Sequence, residues 1–284
     1  MKKKILIVSL FIVMLLVQGC GGKDLTSGIS DEEVVAKAID QTLNLESVEI
    51  DSSVTFKTNS VYQPIDAQVS GKAKVFNNPV LIENNYTIIN NTTGGTEEYK
   101  NYIHYLNDVL TGYVFQEGKW FQGENLLFPE EIVNNPSQNL SLFIANQSDN
   151  GFVTKDTENS EGNLVKYDLA ADPGIYLWAL NQSFLSVNLG NFVQDPEALE
   201  AMGDFVLSIW VDKSSLNIEK MELDFSKNLN NLGLFLKDKG EAPENVSELF
   251  EGFEYFVEYD LKNHNKVERF SVPLEARMGE RIEY

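Results

Sequence analysis

The feature that most constrains this chain is a two-residue periodicity that sets in at Val48. Val48, Ile50, Val54 and Phe56 alternate with Glu49, Asp51, Ser53, Thr55 and Lys57. Ala67, Val69, Gly71, Ala73 and Val75 then alternate with Gln68, Ser70, Lys72 and Lys74. Successive strand side chains point to opposite faces, so each run is a strand with one apolar and one wet face. Both are at least nine residues long, which is long for a globular protein. Half-wet strands belong to antiparallel sheets, because parallel sheets are covered on both faces.

More strands follow around 80–89, 97–106, 112–122, 151–157 and 164–169. The third of these contains the hairpin turn Gln116-Glu117-Gly118-Lys119, before Trp120. Near the end, Phe205, Leu207, Ile209 and Val211 alternate, with Trp210 on the opposite face. Asp212-Lys213-Ser214-Ser215 turns into 218–225, and Phe253, Tyr255, Val257, Tyr259 and Leu261 share one side of a last strand.

Helices are fewer. Ser30-Asp31-Glu32-Glu33 is a capping box that opens a helix running to about Leu45. Pro129, Pro173 and Pro196 stand where helices start. The segment Ile175 to Val187 is apolar almost all round and must be covered on every side or sit over an apolar cavity. Asn228 to Glu251 reads as a loop with a short helix beginning near Pro243. No Pro/Gly-rich linker divides the body. The expected organisation is a signal over 1–19, a flexible tether over 20–29 and a single domain over 30–284.

The beginning of the chain concerns targeting rather than fold. Lys2, Lys3 and Lys4 precede an apolar run from Ile5 to Val17, and Gly19 stands just before Cys20, the only cysteine. A run of 13 residues is short of the roughly 20 that span a bilayer, and the layout is that of a secretory signal. The segment resembles a bacterial lipoprotein signal, whose box, here Val17-Gln18-Gly19-Cys20, ends in a cysteine that is acylated. The resemblance implies a lipid attachment at Cys20, palmitate among the acyl chains. It also implies a Gram-positive cell membrane as the location, with the body facing the extracytoplasmic side.

Composition narrows the function classes. Hydrophobic residues make up 43% and aromatic residues 11%, ample for a packed core. A formal charge of −21 disfavours nucleic acid, which is gripped by clustered Lys and Arg. It also disfavours charge-driven docking on anionic lipid. With no cysteine after Cys20, no disulfide, thiolate nucleophile or sulfur metal site is available.

Chemistry-bearing motifs are absent. His104 lies in a strand and His264 in a polar run, without metal-ligand spacing to each other. No Gly-X-Ser-X-Gly elbow, P-loop or dinucleotide glycine motif occurs. Acidic pairs such as Glu97-Glu98 and Glu130-Glu131 are ordinary solvated charges in so acidic a chain. The expectation is a protein that is not an enzyme and needs no cofactor or metal.

The pattern as a whole resembles the Gram-positive lipoproteins related to the LolA, LppX and LprG carriers. The resemblance rests on a helix just after the lipobox cysteine and on the long alternating strands. Three phrases add to it: Phe115 to Phe121, Ile209-Trp210-Val211-Asp212-Lys213, and Phe270-Ser271-Val272-Pro273-Leu274-Glu275-Ala276. It implies an α+β fold, a strongly curved antiparallel half-barrel with helices covering the concave face and an apolar cavity between. Tyr176, Trp178, Leu180, Phe184, Trp210 and Phe256 are the expected cavity lining.

The functional expectation is a monomeric, membrane-anchored lipoprotein that binds an apolar ligand, a lipid or an acylated partner, without chemistry. The alternative is a surface interaction or sensor lipoprotein with a filled core and no cavity.

Overall fold

The computed structural model describes residues 24–58, 64–106, 109–124, 136–148, 151–173, 195–240 and 252–282. Cys20, and the apolar segment with Tyr176, Trp178, Leu180 and Phe184, lie outside them. So do the helix starts expected near Pro129 and Pro243.

Among the described residues, twelve strands form one open sheet. They are β1 (Ser47–Thr58), β2 (Ile65–Asn77), β3 (Val80–Asn90), β4 (Gly95–Leu106), β5 (Val109–Gln116), β6 (Lys119–Glu124), β7 (Val153–Asp156), β8 (Leu164–Ala171), β9 (Phe205–Asp212), β10 (Ile218–Asp224), β11 (Glu254–Lys262) and β12 (Glu280–Arg281). Their order is β12-β6-β5-β4-β3-β2-β1-β11-β10-β9-β8-β7. Every pairing is antiparallel except that of β12 with β6. This is the expected α+β class, with one open and almost wholly antiparallel sheet. The β5–β6 hairpin closes on Glu117 and Gly118, both at positive φ (51° and 78°), the two left-handed positions that a type I′ turn requires.

Five helices accompany the sheet among the described residues: α1 (Asp31–Leu43), α2 (Pro136–Ala145), α3 (Pro196–Met202), α4 (Ser226–Lys239) and α5 (Leu274–Arg277). Ser30 caps α1 as expected, its hydroxyl accepting from the Glu33 N–H at 3.2 Å. Helix α4 corrects the reading of 228–251 as mostly loop. Its Asn228, Asn230, Asn231 and Gly233 are weak helix formers, and tertiary contacts supply what propensity lacks. Leu229, Leu232 and Leu236 are buried on one side. The Asn228 amide donates to the carbonyls of Met202 and Asp204 at 2.8 and 3.0 Å, and that of Asn230 to Phe253 at 2.9 Å.

The main core lies on one face of the sheet, here termed inner. It unites Val34, Val35, Ala38 and Ile39 of α1 with Leu140 and Phe143 of α2, Met202 of α3, Leu229 and Leu232 of α4, and the inward residues of β1 and β8–β11. The opposite, outer face carries a small second cluster. There Val272 and Ala276, with Phe270, fold back over Leu81, Tyr102, Tyr113, Phe76 and Trp120. This C-terminal strap ends in β12, which pairs along the β6 edge. Ahead of α1, the Leu25 N–H donates to the Lys213 carbonyl at 2.8 Å.

Candidate functional site on the inner face of β3 to β6

Residues facing each other across an antiparallel pair share a face, so strand register gives the inner surface row by row. One row runs Leu261, Ile50, Ala73, Asn84, Asn101, Val114, Phe121 across β11, β1 and β2–β6. Its neighbour runs Val48, Val75, Ile82, Ile103, Gly112, Gly123. On the other side lie Ser52, Gly71, Tyr86 and Tyr99.

The two halves of this face differ. Over β8–β11 the inward side chains are almost fully buried, as Tyr167, Leu207, Ile209, Met221 and Tyr259 at 0% exposure illustrate. Helix α1 packs on β7 and β10, α2 on β8, and α4 on β11. Over β3–β6 the described surface is a continuing apolar carpet in which Ile82, Ile88, Val114 and Phe121 are half-buried. Ile103 is buried at 4% yet belongs to neither core cluster.

Two details single this area out. Gly112 and Gly123 face each other across β5–β6 and are both buried. Neither carries a side chain, so beside Ile103 two buried backbones stand next to each other with no side chain between them. Glycine inside a strand costs stability and marks places where another backbone or a ligand comes close. In the next row, Asn101 is 1% exposed, and among the described residues neither its amide nitrogen nor its amide oxygen has a hydrogen-bond partner. Buried polar groups are nearly always paired, so an orphaned amide calls for an explanation.

Aromatic packing bounds the carpet. Tyr86 and Tyr99 stack at 5.0 Å, and Tyr86 fills the space above Gly71, where a Cβ would stand 2.7 Å from the Ser52 hydroxyl and 3.5 Å from the Tyr86 Cβ. Past β1, Phe56 meets Phe253 at 5.1 Å and Tyr255 at 5.9 Å. Tyr255 in turn stacks on Phe225 at 5.2 Å. Burial alone pushes the Tyr255 phenol far above its ordinary value, as expected for a dry, apolar wall.

Of the expected cavity residues, Trp210 and Phe256 are described, and both stand on the outer face. Strands β9 and β11 turn Phe205, Leu207, Ile209 and Val211, and Tyr255, Val257, Tyr259 and Leu261, inward. The intervening residues must then point out. Trp210 is held between the ammonium groups of Lys166 and Lys220, 5.4 and 5.1 Å from its ring. These in turn pair with Asp156 and Glu222 at 3.1 and 2.7 Å. The tryptophan is thus sheathed by salt-bridged lysines. Gly112, Gly123 and Asn101 were not expected as site residues, because only the register of β4, β5 and β6 brings them side by side.

The histidines do not converge. His104 lies on outer β4 opposite Leu81 and Thr111. A ring nitrogen of His264 lies 3.0 Å from the Ile218 carbonyl, and the other 3.9 Å from Glu219. Burial pushes the Glu219 carboxyl up, and the His264 ring draws it partly back. Among the described residues no group of three or more His, Cys, Asp or Glu side chains is placed to hold a metal ion, and no helix is long and apolar enough to cross a membrane.

No protein-family model and no curated protein sequence matches the chain. Among solved structures it is similar to lipoprotein LppX of Mycobacterium tuberculosis, with 13% identity and a TM-score of 0.43 over 84% of this chain and 99% of that one. It is similar also to LprF of Mycobacterium bovis, with 15% identity and a TM-score of 0.41 over 86% and 96%. A DUF1329 family protein of Desulfovibrio piger follows with 9% identity and a TM-score of 0.26 over 84% and 92%.

Proposed function

We propose that this protein binds an apolar ligand, a lipid or an acyl-modified partner, against the inner face of β3–β6, without a chemical step. The observation that carries the reading is Asn101. It is a buried amide with no hydrogen-bond partner among the described residues, set between Asn84 and Val114 and beside the row that holds the Gly112–Gly123 pair. An acyl chain laid on Ile82, Ile103, Val114 and Phe121 gains about 25 cal/mol for each Å² of apolar surface removed from water. An ester or amide of the ligand within reach of Asn101 supplies the hydrogen bond that the protein does not. A mostly apolar pocket with a few placed polar groups is the usual design of such sites. In the same reading, acylated Cys20 anchors the body to the cell membrane on the extracytoplasmic side.

Native mass spectrometry with lipid extraction tests this on the protein purified from its own kind of host, followed by titration with a fluorescent fatty acid. A co-purifying lipid of discrete mass and saturable uptake are expected, with uptake lost in Gly112→Val and Gly123→Val, which put side chains where the ligand would lie. A clean apo mass together with no saturable uptake would sink the proposal. The filled-core interaction protein would then be preferred. Labelled palmitate should enter the wild-type chain and not Cys20→Ala.

A further inference from the structure

The outer face of the same strands carries a groove of about 570 Å³, lined by residues of β2–β5. Register makes its floor two adjacent rows. One is Lys72, Asn85, Lys100, Phe115, and the other is Ser70, Thr87, Glu98. With strands about 4.8 Å apart and rows about 7 Å apart, the floor is roughly 14 Å by 7 Å. It lies back to back with the inner carpet, and Gly71, Tyr86 and Tyr99, which register turns inward, also border it.

The floor presents an amide, two hydroxyls, two ammonium groups and a single carboxylate, ending at the exposed ring of Phe115. Lys100 is committed, pairing with Glu83 at 3.1 Å and lying 5.2 Å over the Tyr102 ring. Lys72 is not. Asp51, its neighbour across β1–β2, is held by Lys262 at 2.7 Å, and no carboxylate lies within ion-pair distance of Lys72 among the described residues. Among the described residues, then, the Lys72 ammonium stands without an ion-pair partner at one end of a polar floor. The phenyl ring stands three strands away at the other end.

A saccharide has the matching features. Its hydroxyls both donate and accept, as Asn85, Ser70, Thr87 and Glu98 require. Its C–H face packs on an aromatic ring, and one anionic group would answer Lys72 with a charge-assisted hydrogen bond. The volume falls within the range of small-ligand sites. We infer that the outer groove over β2–β5 is a binding site for an acidic saccharide, with the acidic group at Lys72 and a sugar ring against Phe115.

The test titrates the full chain with a trisaccharide containing one uronic acid, and with the same trisaccharide after reduction of its carboxyl, read by calorimetry. Saturable binding of the acidic form is expected, with at least tenfold weaker binding of the reduced form. Lys72→Ala should lower affinity for the acidic form about tenfold and leave the reduced form nearly unchanged. Asn85→Ala and Phe115→Ala should weaken both. These positions are outward-facing, so circular dichroism should show each variant folded like the wild type. Absence of saturable binding to the acidic form overturns the inference, and so does equal binding by wild type and Lys72→Ala.

Discussion

Replacing Asn101 with leucine tests the reading of the inner face most directly. Leucine has the same four side-chain heavy atoms in the same fork, so the substitution removes two polar groups with little change of shape. Asn101 is 1% exposed with both amide atoms unpartnered. A buried polar group left unpaired costs about 1–3 kcal/mol. Asn101→Leu should therefore raise the stability of the lipid-free protein by about 1–3 kcal/mol. For a domain of this size each kcal/mol moves the melting temperature by about 2–4 °C, which puts the expected gain at about 2–12 °C. Urea unfolding of delipidated wild type and variant, compared at equal m-value, measures it. The same substitution should weaken fatty-acid ester uptake about tenfold, near 1.4 kcal/mol, by removing the ligand's hydrogen-bond partner. A variant less stable than wild type by more than about 1 kcal/mol would refute the reasoning, because the amide would then be engaged within the protein itself.

Three further outcomes follow from the packing. Gly279→Ala should loosen the C-terminal strap, since a Cβ there would stand 2.7–2.9 Å from the Trp120 backbone and Cβ; faster carboxypeptidase trimming with the main unfolding transition retained is the expected result. Asn228→Ala strips the α3–α4 junction of an amide that serves Met202 and Asp204, and urea unfolding should show a loss of about 1–3 kcal/mol. Tyr167, pushed up to about 12 chiefly by burial and then by Asp31, supplies an alkaline signature. Its folded value lies above the unfolded one near 10, so its contribution is fully present below pH 10 and is lost as pH rises through about 12. Urea midpoints should fall over that range and fall less in Tyr167→Phe.

How much of this was legible in the sequence depended on whether the signal was local. The alternation in β1 and β2 is a property of single strands, and it gave their faces correctly residue by residue. The parity of Trp210 against Ile209 and Val211 already set it apart from the core side, and the hydrophobicity of Trp210 and Phe256 was a poorer guide than their position. Helix α4 stayed hidden because its asparagines find their partners on α3 and β11, which no local pattern encodes. The Gly112–Gly123 pair and the row Lys72, Asn85, Lys100, Phe115 arise only from register between strands, and register becomes visible only with the sheet assembled.

The pairing of β1 with β11 has a kinetic consequence. Strands β1–β6 can zip together hairpin by hairpin as the chain emerges, and β8–β11 form a second, later group. The seam between the two groups joins residues about 200 positions apart, such as Val54 and Val257. Until β11 arrives, the twelve-residue β1 is a long open edge with an apolar side, a template for pairing with other chains. Contacts so distant in sequence are closed late and slowly. A chain of this topology is most vulnerable to aggregation in the interval between the completion of its first half and the arrival of β11.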